Sequence, residues 1–142
     1  MTKKKFIRAL MILLCTMMLC SIPAYAAETR ASERIMLSTT TIGKTENGDL
    51  SAYFMVQGTG EMDVIGATSL EIQRKTITGW VREYTFTSDK TPELLATNRM
   101  WHSARLTYTP LFPGKTYRAV ANIYVKNSEG TSTQWLPSDP VT

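Results

Sequence analysis

From Ile35 onward the chain repeats one pattern. Short runs alternate apolar and polar residues, and turn residues break them about every eight to twelve positions. A period of two buries one side of an extended strand and wets the other, which a helix cannot do. Leu50–Gln57 shows it plainly: Leu50, Ala52, Phe54 and Val56 share one face, and Ser51, Tyr53, Met55 and Gln57 the other. The same reading predicts strands over 35–42, 68–75, 80–86, 101–109, from Tyr117 onward, and over 131–136. Asn47-Gly48, Thr78-Gly79 and Asn127–Gly130 supply turns.

Two stretches break the rhythm. Gly58–Ala67 is punctuated by glycine and reads as a connection whose Met62, Val64 and Ile65 tuck under the sheets. Thr91-Pro92-Glu93 reads as an N-cap, a first-position proline and a first-turn acid, predicting one or two helical turns. In Trp80–Phe86, alternation puts Trp80, Tyr84 and Phe86 on one face. The expectation is an all-β antiparallel β-sandwich of about seven strands with one short helical insert.

The first residues belong to a different argument. Lys3, Lys4, Lys5 and Arg8 precede an apolar run, Ala9–Ile22, and Ala24-Tyr25-Ala26 offers small residues where a signal peptidase reads. The run is shorter than the roughly 20 residues a spanning helix needs. Leu19 before Cys20 is too bulky for a lipoprotein signal. The layout expected is a Sec-type signal peptide at 1–26, a flexible arm at 27–32 and one domain at 33–142, secreted after cleavage behind Ala26. No membrane span is expected to remain. "LPSDP" near the C-terminus lacks the Thr-Gly and the apolar tail of a wall-sorting signal.

Those four basic residues are the whole net charge of +4, leaving 12 basic against 12 acidic side chains in the expected mature chain. A balanced surface removes the argument for nucleic acid. Cys15 and Cys20 both lie in the leader. The mature chain therefore has no disulfide, thiol or Cys-zinc chemistry, which suits a bacterial exporter.

Leu111–Asn127 opens on Pro113-Gly114 and then alternates, with Tyr117, Ala119, Ala121, Ile123 and Val125 on one face. Proline sets φ, and glycine tolerates a left-handed conformation. Tyr117 can then cover the core while its hydroxyl bonds upstream backbone. Leu111–Ile123 resembles the E–F corner and F strand of fibronectin type III domains. Ser69–Val81 is similar to their C strand and the turn beyond. The strand-B tryptophan of that family is replaced by Tyr53-Phe54, and the helical insert is extra. The resemblance implies a sandwich of immunoglobulin or fibronectin-III type. Its core would hold Phe54, Trp80, Leu111, Pro113, Gly114 and Tyr117, with Phe54 or Trp80 against the small alanines. The chain also resembles a group of short secreted Gram-positive bacterial proteins, through Ala31-Ser32, Gly58–Ile72, Trp80 and Gly114–Gly130. That likeness carries no activity with it.

Chemistry is sparse. His102 is the one histidine, and adjacent Ser103 points to the opposite face of a strand, so the two cannot form a nucleophile–base pair. One histidine without cysteine does not supply a zinc ligand set, and no metal or cofactor is expected. Glu61 with Asp63, or Glu71 with Glu83, could pair as hydrolytic carboxylates, though each has basic neighbours. Gly58–Gly60 has no helix after it to cradle phosphate. Aromatic residues lead further, because Trp80, Trp101, Trp135, Tyr53 and Tyr124 cannot all be core. Arg118, Asn122, Tyr124 and Lys126 form the polar-aromatic stripe opposite Tyr117 and are the candidate binding residues. The expected role is a non-enzymatic extracellular module binding glycan, peptide or protein. The alternatives are a small carboxylate hydrolase and a purely structural accessory domain.

Overall fold

The computed structural model describes residues 33–142. The expected leader, its cleavage point and the arm at 27–32 lie outside the described residues. Among the described residues no helix is long and apolar enough to cross a membrane.

The domain is all-β, with six strands: β1 (Ile35–Lys44), β2 (Leu50–Thr76), β3 (Gly79–Thr87), β4 (Leu95–Tyr108), β5 (Tyr117–Asn127) and β6 (Gly130–Pro137). Every pairing is antiparallel. β2 is the axis. One edge takes β1 against Leu50–Gly58 and then β5 against Val64–Arg74. The other takes β4 against Leu50–Gly66 and then β3 against Ser69–Thr76. β6 adds outside β5, and the sheet curls into a half-barrel. Where its ends approach, Ser38 donates to Gln134 Oε1 at 2.8 Å and Arg34 Nε to Asn127 Oδ1 at 3.1 Å.

Six strands replace the expected seven because Gly58–Ala67 is strand and not connection. β2 runs unbroken for 27 residues. Gly58–Glu61 bulges out where the β2–β4 register shifts between Gln57 and Met62. A Cβ on Gly58 would stand 2.8 Å from the Met62 side chain, so glycine lets the strand bend over its own neighbour. Met62, Ile65 and Ala67 then carry the buried face onward.

The helical insert is a single 3-10 turn, Pro92–Leu94, and Thr91 makes no side-chain cap. The chain turns extended at Leu95 (φ −121°, ψ 148°), where it pairs with Gly66. Ladder hydrogen bonds and the fully buried Leu94 outweigh the local helix signal. Gly66, at φ 147°, leaves no room for a Cβ, which would collide with the Leu94 carbonyl.

One core fills the concave side. Leu50, Ala52, Phe54 and Val56 of β2 meet Leu70 and Ile72 further along it, Leu106 of β4, and Tyr117, Ala119, Ala121, Ile123 and Val125 of β5. Trp80 is not in this core. A β-bulge shifts the β2–β3 register between Ile72 and Gln73, so Arg82 opposes Gln73 while Tyr84 opposes Ile72. The extra residue, Glu83, reverses the alternation and puts Trp80 on the convex face. The corner also differs in part. Leu111 is 68% exposed, and Pro113 and Gly114 lie at the surface of the turn. Gly114 takes φ 81°, and Tyr117 alone of the corner residues enters the core. Its hydroxyl donates to Glu83 Oε1 at 3.0 Å and meets the Phe112 backbone at 3.3 Å.

Candidate binding surface

Glu71 and Glu83 do not form a carboxylate pair. Glu71 lies between the core residues Leu70 and Ile72, so its side chain is on the convex face, where it takes Arg82 Nε at 3.3 Å. Glu83 turns toward the core end, where Arg74 Nε stands 3.2 Å away and the Leu111 amide donates at 3.3 Å. Tyr108 lies against the same carboxylate. Burial first, and Glu83 second, push its phenol up to about 12. Phe112 covers Arg74, with the guanidinium 4.2 Å above its ring. This cluster fastens the 109–116 loop to the sheet.

Glu61 and Asp63 flank the buried Met62 and face solvent. No group of three acidic, histidine or cysteine side chains that could hold a metal occurs among the described residues. His102 Nε2 donates to the Glu93 carbonyl at 2.7 Å and its ring meets the edge of Phe54. It ties the 3-10 turn to β4, and Ser103 faces outward beside Met55.

The convex face of β3, β2, β5 and β6 is more organised. Arg118 of β5 lies with its guanidinium 4.4 Å above the Trp80 ring, and its Nε donates to Gln73 Oε1 at 2.8 Å. Gln73 Nε2 donates in turn to Glu71 Oε2 at 2.9 Å, and Arg82 holds the other carboxylate oxygen. Four residues from three strands thus form one line of hydrogen bonds and ion pairs. It ends beside a depression of about 260 Å³ lined by Gln73, Arg118, Val120, Trp135 and Pro137. Trp135 is 56% exposed there, while Val120 makes an apolar floor.

Of the stripe read from the sequence, Arg118 lines the depression. Asn122 lies two same-face positions along β5, beyond Val120 and directly opposite Trp135. Tyr124 and Lys126 share the face but lie further toward the end of β5, opposite Thr133 and Thr131. Gln73, Glu71, Arg82, Trp80 and Trp135 join the surface through register and through the β3 bulge. Only the alternation of β2 and β6 hints at them in sequence.

A second convex patch lies on β1, β2 and β4, where Leu37, Gln57 and Trp101 stand in one cross-strand row. Leu37 and Trp101 are exposed there, and further along the same face Arg105 Nη1 donates to Ser51 Oγ at 3.1 Å. No family model matches the chain, and no curated protein matches it by sequence.

Proposed function

We propose that residues 27–142 form a secreted, non-enzymatic module that binds an extracellular glycan on the convex face of β2, β5 and β6. One observation carries this: the half-exposed Trp135 borders a depression whose polar wall, Arg118 and Gln73, is already held in place. Sugar rings stack their C–H faces on flat aromatic surfaces while hydroxyls need fixed polar partners, and this face offers both. On this face an extended peptide would have to pair along the outer edge of β6, because both edges of β5 are already paired, and such pairing would leave the Arg118–Gln73 wall unused.

The leader sequence and the cysteine-free mature chain support export. The separate engagement of Glu71 and Glu83 by Arg82 and Arg74 favours binding over hydrolysis. Kinship with immunoglobulin or fibronectin type III domains is part of the same proposal. The Tyr117 hydroxyl, which accepts from the Phe112 amide five residues upstream, supports it.

The test is a screen of the mature chain against a glycan array and isolated bacterial cell walls. Retention should fall at least about tenfold in Trp135→Ala, as for a buried-on-binding aromatic anchor. Failure to retain any glycan would overturn the reading. So would retention that a folded Trp135→Ala leaves unchanged.

A further inference from the structure

The line of polar contacts behind Arg118 constrains what the depression can hold. Glu71 can only accept hydrogen bonds as a carboxylate, so Gln73 must present its Nε2 to it. Gln73 Oε1 is thereby turned to Arg118. A flipped amide would set donor against donor at both ends. Gln73 Oε1 accepts from Arg118 Nε, and Trp80 covers one face of the guanidinium. The group is therefore fixed in plane and in rotation. Its one hydrogen bond to the described residues uses Nε, so the Nη1–Nη2 edge keeps its donors free. A planar fork of this kind matches a carboxylate through two parallel hydrogen bonds. Charge agrees with that match. Arg82 and Arg118 against Glu71 leave one positive charge, enough for one monovalent anion.

We infer that the ligand of this surface is a sugar bearing a carboxylate, a hexuronate unit. Its acid group enters the Arg118 fork and its ring lies on Trp135. This rests on the glycan-binding reading above and narrows it. Arg118 and Trp135 are the contact residues. Gln73, Glu71 and Arg82 are positioning residues that act through Arg118.

Isothermal titration of the mature chain tests this with three probes: an oligomer of hexuronate, a neutral hexose oligomer of matched length, and acetate. The hexuronate oligomer should bind, and the neutral oligomer at least about tenfold more weakly, because the fork then lacks its partner. Acetate, which has no ring for Trp135, should not bind at the same concentrations. Arg118→Lys keeps the charge but loses the fork, and should weaken hexuronate binding about tenfold or more. Glu71→Gln should weaken it severalfold while weakening the neutral oligomer much less, since only the acid group needs the Arg118 fork. A purely structural role for Glu71 would move both sugars together.

Equal binding of acidic and neutral oligomers, or an unaffected Arg118→Lys, overturns the inference and leaves glycan binding standing. Acetate binding as tightly as the oligomer also overturns it, making the surface a small-anion site. If no sugar binds in this titration and none is retained on the array, both readings fall.

Discussion

Replacing Tyr117 by phenylalanine isolates the hydroxyl that joins the loop cluster to the core. The ring still fills its place, so no cavity forms. What goes is the 3.0 Å bond to Glu83, whose side chain is only 4% exposed, together with two weaker 3.3 Å contacts to Phe112. A hydrogen bond to a charged group contributes about 1.5–3 kcal/mol, and the longer contacts add little. About 2 kcal/mol is expected, or about 8 °C in Tm at roughly 4 °C per kcal/mol for a domain of this size. Tyr117→Ala removes the ring as well, against alanines 119 and 121, which are too small to fill the space. The lost ring and the cavity it leaves should together cost about 3–5 kcal/mol, a large part of the 5–15 kcal/mol that holds a typical domain. Urea unfolding followed by tryptophan fluorescence, with thermal melts alongside, measures both variants. A double-mutant cycle with Glu83→Gln should show a coupling of about 1–2 kcal/mol. Tyr117→Phe melting within about two degrees of the parent, or a cycle energy near zero, would refute the role given to this bond.

Tyr108 is raised to about 12 from an ordinary 10, and Tyr117 is raised by the same causes, burial and then Glu83. The unfolded chain therefore loses its phenolic protons first. Stability is full below pH 10 and falls as pH climbs through about 12. Urea midpoints between pH 8 and 12 should drop over that window, and drop less in Tyr108→Phe; a flat profile contradicts the assignment. Gly66→Ala meets the Leu94 carbonyl at a left-handed φ and should lose more than about 3 kcal/mol, visible as a collapsed melting transition. Thr40 Oγ1 is buried without a hydrogen-bond partner among the described residues, so Thr40→Val should raise stability by about 1 kcal/mol; a lower Tm would show that the hydroxyl is satisfied.

What could be read from the sequence, and what could not, divides at the bulges. The buried face of β5 was legible because its alternation from Tyr117 to Val125 is unbroken. β2 was not, because the glycines of Gly58–Gly60 resemble a turn while acting as a bend inside a strand. Trp80 was misplaced for the same reason: one extra residue at Glu83 reverses a two-residue period, and nothing local announces it. The 3-10 turn shows the opposite conflict, a good local helix signal defeated by pairing with Gly66, a residue distant in sequence. At the candidate site, Arg118 and Asn122 were legible from β5 alone. Gln73 and Trp135 come from neighbouring strands, and long-range register is what brings them there.

The central place of β2 also sets an order on folding. It pairs with four of the other five strands, and β6 depends on β5, which depends on it. As the chain emerges, β1 and β2 can close a hairpin at Asn47-Gly48, but that covers only one edge of the first half of β2. The stretch from Val64 to Arg74 waits on one side until residues 117–126 arrive. Through that interval an apolar strand lies open along its backbone, a template for pairing with other chains. Because the Tyr117–Val125 face completes the core only when β5 arrives, assembly should be late, cooperative and slow for the domain's size.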